Sequence, residues 1–176
     1  MRIISGSYKG RRLYPPTDIK ARPTTDFAKE SLFNVLLNYI DFEDIEVLDL
    51  FSGTGSIALE FVSRECKSAV CIELETKHCN FIHKCCDLLK IKNLTIIKTD
   101  VFRFIPQCRT KFDFIFADPP YNLNELAQIP DLIFKYQLLK PEGLFVLEHS
   151  ANNNFSQHDH FVEHRKYGNV NFSFFE

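Results

Sequence analysis

The segment 114–121 brings together the residue types best able to do chemistry in this chain. An apolar, strand-like run is followed at once by an acid, two prolines and an aromatic residue: Asp118, Pro119, Pro120 and Tyr121. The prolines fix φ and remove two backbone donors, so the turn is stiff and its carbonyls can accept hydrogen bonds. A carboxylate after a strand also lies where open α/β sheets bind their ligands. Beside the flat face of Tyr121, these acceptors suit the task of holding a planar base by its exocyclic amino group.

A glycine-rich segment predicts a second site, for an adenosyl cofactor. Residues 48–58 read LDLFSGTGSIA and lie between a predicted strand and a predicted helix. Gly53 and Gly55 allow a sharp turn and close approach of a ligand, and Ala58 fits the small third position of the dinucleotide fingerprint. Glu73 ends the next predicted strand, where a carboxylate can accept hydrogen bonds from both ribose hydroxyls. These features alone suit a nicotinamide cofactor equally well.

Further acids distinguish between these cofactors. Asp100 follows the third predicted strand and can accept from an adenine amino group, with Val101 and Phe102 covering the ring. A single acid after a strand is often only a helix cap. Here, however, four successive predicted strands each end in or near an acid, namely Asp49, Glu73, Asp100 and Asp118. Their negative field suits a sulfonium cation better than a pyrophosphate, which favours S-adenosylmethionine over NAD. The cofactor-binding candidates are Asp49, Phe51, Ser52, Gly53, Thr54, Gly55, Glu73, Asp100 and Val101.

Hydrophobic periodicity predicts the elements that position these residues. Predicted strands cover 45–50, 69–73, 94–98, 112–117 and 143–148, and predicted helices cover 24–38, 56–64, 76–89, 101–105 and 125–138. This alternation predicts an α/β fold with a doubly wound, mostly parallel sheet. Two more strands, 160–167 and 169–175, meet at a tight turn at Gly168 and would add an antiparallel hairpin. A mixed seven-stranded sheet of this kind is the Rossmann-like class I methyltransferase fold.

Length and charge indicate a single domain over 1–176, with a basic extension at 1–23 and a core at 24–176. The chain has a net charge of −2, but residues 1–30 contain seven basic and only three acidic side chains. A local basic face can bind phosphates, although a solvated arm is an alternative. Residues 2–14 are expected to form a small hairpin.

The sequence shows neither a membrane-spanning segment nor a signal peptide. No apolar run approaches ~20 residues, and the N-terminus has no apolar segment typical of a signal peptide. A cytoplasmic location and reduced cysteines are therefore expected.

Cys79, His83 and Cys86 have helical spacing and could ligate a metal, but the usual paired Cys-x-x-Cys pattern is missing. A buried helix face is the preferred interpretation, and no metal is expected.

Taken together, these motifs resemble the bacterial 16S ribosomal RNA guanine-N2 methyltransferase family. The Asp-Pro-Pro-Tyr tetrapeptide is typical of enzymes that methylate nucleobase amino groups. An Arg-Pro-Thr segment at 22–24 and the basic N-terminal segment narrow the resemblance to this family. Matching segments are 2–6, 9–13, 22–26, 29–34, 49–56, 112–113, 118–121 and 167–168, together with Glu60, Ser63 and Arg64.

The resemblance implies a monomeric, S-adenosylmethionine-dependent enzyme that methylates N2 of a guanine in 16S RNA, in the 30S subunit or an assembly intermediate. Asp118 and the Pro119 carbonyl would accept the amino protons while Tyr121 stacks on the base. Arg22 and Thr24 would close over the cofactor. The candidates for RNA phosphate contacts are Arg2, Lys9, Arg11 and Arg12.

Three alternatives remain at this point. A DNA adenine-N6 or cytosine-N4 methyltransferase uses the same tetrapeptide, but such enzymes usually have a separate target-recognition region for which this chain has no room. An enzyme that methylates protein glutamine is a second alternative, but that family favours Asn where this chain has Asp118. A noncatalytic RNA-binding assembly factor could keep the fold, although the intact cofactor loop and the Asp-Pro-Pro-Tyr segment at 118–121 argue against it.

Overall fold

The computed structural model describes residues 1–17 and 26–176, which contain a seven-stranded mixed sheet. The strands are β1 (Glu46–Leu50), β2 (Ser68–Glu73), β3 (Leu94–Lys98), β4 (Phe112–Ala117), β5 (Leu139–His149), β6 (Phe161–Tyr167) and β7 (Val170–Phe175). Their order across the sheet is β3-β2-β1-β4-β5-β7-β6. Strands β1 to β5 pair in parallel, whereas β7 is antiparallel to both β5 and β6. The predicted fold class is confirmed.

Helices cover both faces of the sheet. They are α1 (Asp26–Leu36), α2 (Ser56–Ser63), α3 (Thr76–Leu89), α4 (Val101–Phe104) and α5 (Ile129–Lys135). One face packs against α1, α2 and α3, with Phe33 and Phe61 buried against Phe114 of β4. The other face packs against the region of α4 and α5. Because both faces are covered, the central strands are apolar on both sides.

The largest differences from the predicted boundaries concern α5 and β5. The predicted helix 125–138 is a 3₁₀ helix at Leu126–Gln128 followed by the shorter α5. Pro130 lies in the first turn of α5, where its missing N–H is tolerated, and Gln137 after the helix has φ 53°. Strand β5 begins at residue 139 rather than 143, with a register shift against β4 near Phe112. The helix predicted over 24–38 corresponds to α1, which ends at Leu36, and the first two predicted positions lie outside the described residues.

The N-terminal segment forms the expected small hairpin. The Ile3 N–H donates to the Arg11 carbonyl at 3.0 Å, and the Gly10 N–H donates to the Ile3 carbonyl at 2.9 Å. Glu60 of α2 holds this hairpin, because its carboxylate accepts from the N–H groups of Ile4 at 2.8 Å and Ser5 at 3.0 Å. The hairpin is therefore fixed to the core by a buried side chain. Within the described residues, no helix combines the length and apolar character needed to cross a membrane.

Gly6 marks the closest approach of the hairpin to α2. Its φ is +79°, and a Cβ built there would lie 1.7 Å from the carbonyl oxygen of Ser63. That carbonyl accepts the Ser7 N–H at 2.7 Å. Any side chain at position 6 would therefore push the hairpin away from the helix.

Gly6→Ala should lower the free energy of unfolding by about 3 kcal/mol, the sum of left-handed backbone strain and overpacking. Gly10→Ala is the matched control, because Gly10 has φ +80° with no atom within 4 Å of a built Cβ. The control should lose only about 1–2 kcal/mol. Urea denaturation of both variants measures the difference, and equal losses would contradict a close contact at Gly6.

Candidate functional site

The strand order creates a crevice at one edge of the sheet. From β1 the chain winds outward through β2 to β3, then returns and winds the other way from β4 to β5. Ligands of open α/β sheets bind at the carboxyl ends of strands where the winding reverses. Here that point lies between β1 and β4, which pair through Leu50 and Ala117.

The glycine-rich loop after β1 has the expected strained turn. Phe51, Gly53 and Gly55 all have left-handed backbone, with φ of 58°, 54° and 71°. A Cβ on Gly55 would lie 3.0 Å from Cγ1 of Ile82, so this glycine allows close packing against α3. A Cβ on Gly53 would meet no atom nearer than 3.9 Å. The backbone at Gly53 is therefore open to close approach by a ligand.

Glu73, at the end of β2, lies directly beside the tip of this loop. Its Oε2 accepts the Gly53 N–H at 2.7 Å, and its Oε1 accepts the Glu75 N–H at 2.8 Å. His78 Nδ1 is 3.4 Å from the same Oε1, a neighbour that the sequence did not indicate. A carboxylate has about four acceptor positions, so Glu73 can shape the loop and still accept from ribose hydroxyls. The latter role stays a prediction.

Asp49 lies beneath the loop. It is 2% exposed, and its Oδ2 accepts the Ala58 N–H at 3.2 Å, near the start of α2. Burial raises the pKa of Asp49 to about 8, and the nearby Glu73 carboxylate contributes to this rise. The buried Ser52 hydroxyl donates to the Asp49 carbonyl at 2.6 Å. These two predicted cofactor residues therefore support the loop from within.

The remaining predicted cofactor residues surround the loop. Asp100 is half-buried and its side chain accepts the Arg103 N–H at 3.1 Å, capping α4. The rings of Phe51 and Phe102 meet edge to face at 6.2 Å between centroids. Val101 is buried, and the Thr54 hydroxyl lies 3.7 Å from the sulfur of Met1. The predicted residues outside 18–25 are thus brought together, whereas Arg22 and Thr24 lie outside the described residues.

The second half of the site follows β4. The Asp118 N–H donates to the Leu50 carbonyl at 3.4 Å. Asp118 therefore lies directly after β4, still hydrogen-bonded to the end of β1. Pro119 is buried and Pro120 is exposed. The Tyr121 hydroxyl donates to Oε1 of Glu148 at 3.0 Å, and Glu148 is 3% exposed at the end of β5. Sequence reasoning missed Glu148, although an acid ending an apolar strand was the signal used for the other four.

The basic hairpin borders the glycine loop. Lys9, Arg11 and Arg12 are exposed, and Arg2 is half-buried with its Nε 3.4 Å from Asp26. The contact between Met1 and the loop places this basic surface beside the crevice.

The possible metal ligands singled out in the sequence, Cys79, His83 and Cys86, lie on α3. Cys79 and Cys86 are buried in the core, but His83 is exposed, so the predicted buried helix face is confirmed for the two cysteines and wrong for the histidine. Among the residues described, no cluster of three His, Cys, Asp or Glu side chains could hold a metal ion.

Comparison with known proteins identifies a family that shares this arrangement. The sequence model of the family described as conserved hypothetical protein 95 matches residues 1–176. Ribosomal RNA small subunit methyltransferase D of Escherichia coli K12 is 33% identical over 153 residues, 87% of this chain and 76% of that protein. Its namesake from Buchnera aphidicola subsp. Baizongia pistaciae is 34% identical over 148 residues, 84% and 75% of the two chains. These matches confirm the resemblance that the motifs indicated.

A solved structure supports the same relationship. A hypothetical protein of Thermus thermophilus superposes with a TM-score of 0.86 at 26% identity, covering 100% of this chain and 99% of that one. The likeness therefore includes the N-terminal hairpin and the C-terminal strands as well as the central sheet.

The burial of Asp49 makes stability depend on pH. A carboxyl whose folded pKa is about 8 and whose ordinary value is 3.8 binds its proton more tightly in the folded state. Stability attributable to Asp49 is therefore greatest below pH 4 and is lost as the pH rises toward 8. Relative to Asp49→Asn, the unfolding free energy of the wild type should fall by up to about 1.4 kcal/mol per pH unit in this window. Urea denaturation from about pH 5 to about pH 7.5 measures this difference, and parallel curves would contradict it.

Proposed function

The chain belongs to this family, and we propose that it transfers a methyl group to the N2 amino group of a guanine in 16S ribosomal RNA, as a monomer acting on the 30S subunit or an assembly intermediate. The relatives identify its general activity, which is that of an S-adenosylmethionine-dependent ribosomal RNA methyltransferase. The proposal of guanine N2 as the acceptor is supported by the rigid turn after β4. Asp118 in this turn lies at the crevice beside the glycine loop, and Tyr121 is hydrogen-bonded to Glu148.

The residues on the β1 side of the crevice fit S-adenosylmethionine. Gly53 leaves its backbone open to the ligand, Glu73 lies beside it for the ribose, and Asp100 lies at the end of β3 for the adenine amino group. These carboxylates favour a cationic cofactor, since opposite charges attract strongly in a partly buried site. When bound, S-adenosylmethionine supplies an electrophilic methyl group.

The residues on the β4 side make a weak nucleophile reactive. The lone pair of a guanine amino nitrogen is delocalised into the ring, so the enzyme has to localise it. In the proposed mechanism, the Asp118 carboxylate and the Pro119 carbonyl accept the two amino hydrogens. This favours a pyramidal nitrogen and stabilises the positive charge that develops during transfer. As the nitrogen–methyl bond forms, the sulfur–methyl bond breaks and leaves S-adenosylhomocysteine. The proton that the amino nitrogen loses passes to Asp118 or to solvent. Tyr121 stacks on the base, which has to leave its helix or stack to reach the crevice.

The rigidity of the turn contributes to the rate. Pro119 and Pro120 fix two φ angles, and the Leu123 N–H donates to the Pro120 carbonyl at 2.9 Å. The hydrogen bond from Tyr121 to Glu148 fixes the far end of the aromatic ring. Acceptors held in place before the substrate arrives lower the entropic cost of aligning amine and methyl group.

Asp118→Asn keeps the shape of the side chain and removes its charge. Turnover should fall at least ~100-fold, as when a preorganised charge stabiliser is lost, while affinity for S-adenosylmethionine changes little. The assay measures labelled methyl transfer to 30S subunits that lack their own methylation, with product nucleosides identified by mass spectrometry. N2-methylguanosine in 16S RNA is the expected product of the wild type.

Asp159→Asn is the control, because Asp159 is an exposed acid that precedes β6 at the opposite edge of the sheet. It should behave as the wild type. Full activity of Asp118→Asn would reject Asp118 as the key acceptor. Transfer to DNA, to protein or to another RNA would reject the proposed substrate. Cofactor binding without any transfer would favour a noncatalytic assembly factor.

The basic hairpin is proposed to bind RNA phosphates. Arg11→Ala with Arg12→Ala should weaken RNA binding and reduce the slope of log affinity against log salt by about 1 for each phosphate interaction that is removed. Lys92→Ala with Lys111→Ala is the matched control, since both lysines are exposed and precede β3 and β4 at the far edge of the sheet. Filter binding over a salt series measures both slopes. An unchanged slope in the arginine variant would rule out these two residues as phosphate ligands.

A further inference from the structure

Glu148 and Asp118 occupy equivalent places on neighbouring strands. β4 and β5 are parallel, and their final paired residues are Phe116 with Val146 and Ala117 with Leu147. One residue further along each strand are Asp118 and Glu148. Neighbouring strands lie ~4.8 Å apart, so two acids end adjacent strands at the same edge of the sheet.

The two acids also project to the same side. Ala117 and Leu147 belong to one core cluster, while Phe116 and Val146 belong to the other. Because successive side chains of a strand alternate between faces, Glu148 projects like Val146. Asp118 directly follows β4, and its N–H still donates to the Leu50 carbonyl of β1, so we expect it to continue the alternation and project like Phe116. This is the face against which α1 and α2 pack.

Tyr121 links Glu148 to the substrate side of the crevice. The Tyr121 hydroxyl donates to Oε1 of Glu148 at 3.0 Å, so the carboxylate lies at the hydroxyl end of the aromatic ring. Glu148 is 3% exposed, and a buried carboxylate is stable only where it is hydrogen-bonded. Its two oxygens offer about four acceptor positions, which is more than the bond to Tyr121 uses.

Two neighbouring acceptors fit guanine better than other amino-bearing bases. Guanine presents two adjacent donor groups on this edge, N2–H₂ and N1–H. Adenine and cytosine present an amino group beside an unprotonated ring nitrogen, which is itself an acceptor. A carboxylate facing that ring nitrogen would meet its lone pair. A pair of carboxylates therefore discriminates by hydrogen-bond pattern, as bases are distinguished in general.

We propose that Glu148 is a specificity-determining residue, which accepts the N1–H of the target guanine while Asp118 and the Pro119 carbonyl accept the N2 hydrogens. The inference rests on the proposed function and extends it, since it assigns the choice of base to a residue outside the Asp-Pro-Pro-Tyr turn.

The test replaces the target guanine by 2-aminopurine, which keeps the 2-amino group but has an unprotonated N1. The guanine is first mapped by mass spectrometry, and 16S RNA with either base at that position is then assembled by ligation and reconstituted into subunits. The wild type should methylate guanine at least about tenfold faster than 2-aminopurine, the discrimination typical of one wrong polar contact. Glu148→Gln keeps an oxygen for Tyr121 and offers an amide donor to N1, so it should lower this ratio about tenfold or invert it.

Tyr121→Phe separates base selection from simple support of the tyrosine. If Glu148 only positions Tyr121, both variants should slow the two substrates equally and leave the ratio unchanged. Under the proposal, Tyr121→Phe keeps a high ratio at lower turnover, whereas Glu148→Gln loses it. Calorimetric binding of S-adenosylmethionine checks that each variant is folded. Glu148→Ala is measured in place of Glu148→Gln if the latter fails this check.

The outcomes distinguish this inference from the proposed function. If the wild type forms no N2-methylguanosine, the proposed function fails. If it forms N2-methylguanosine but accepts 2-aminopurine nearly as well, within about threefold, only the role of Glu148 fails. A strong wild-type preference that survives in the Glu148 variant would likewise overturn the role of Glu148 and leave the function intact.

Discussion

The buried carboxylate of Glu60 is the interaction on which the arrangement of the site depends. It is fully buried in α2, yet it accepts from two backbone N–H groups of the N-terminal hairpin and pairs with Arg64 at 3.1 Å and Lys29 at 3.6 Å. Burial lowers the pKa of Lys29, and the charge of Glu60 opposes that shift. A buried charge that loses its partner typically costs about 3–5 kcal/mol. Hairpin, α1 and α2 are therefore held as one unit, since none can move without leaving a buried charge or donor unpaired.

This network connects the basic hairpin to the glycine loop. The Lys29 ammonium donates to the Arg2 carbonyl at 2.7 Å and to the Ser56 hydroxyl at 3.1 Å. Ser56 is the first residue of α2 and directly follows Gly55 of the loop. One side chain thus contacts both the basic hairpin and the element that begins at the glycine loop. The proposed phosphate contacts and the proposed cofactor contacts are consequently fixed relative to each other, as a transfer reaction requires of its two reactants.

The sequence predicted the central elements well because their signals are local. The bounds of α3, β3 and β4 agree with the prediction, since each has a strong apolar period and a clear end. Glu60 matched the family pattern, but its structural role could not be predicted, because its backbone partners lie 55 and 56 residues earlier in the chain. Asp49, Glu73 and Asp100 were predicted as ligand contacts, and the structure adds that each also accepts a backbone N–H. Such dual use is invisible in a sequence, where a capping acid and a binding acid look alike.

The reversal of winding between β1 and β4 divides the acids of the site into two pairs. Glu73 and Asp100 lie at or just beyond strand ends on the β1 side, whereas Asp118 and Glu148 lie at or just beyond strand ends on the β4 side. The first pair adjoins the glycine loop, and the second pair adjoins the rigid turn with Tyr121. A cationic methyl donor and a donor-rich base edge both require acceptors, so a single fold can serve them with the same residue types. In the proposed function, the topology of the sheet therefore separates cofactor from substrate, because it places one pair of carboxylates on each side of the crevice.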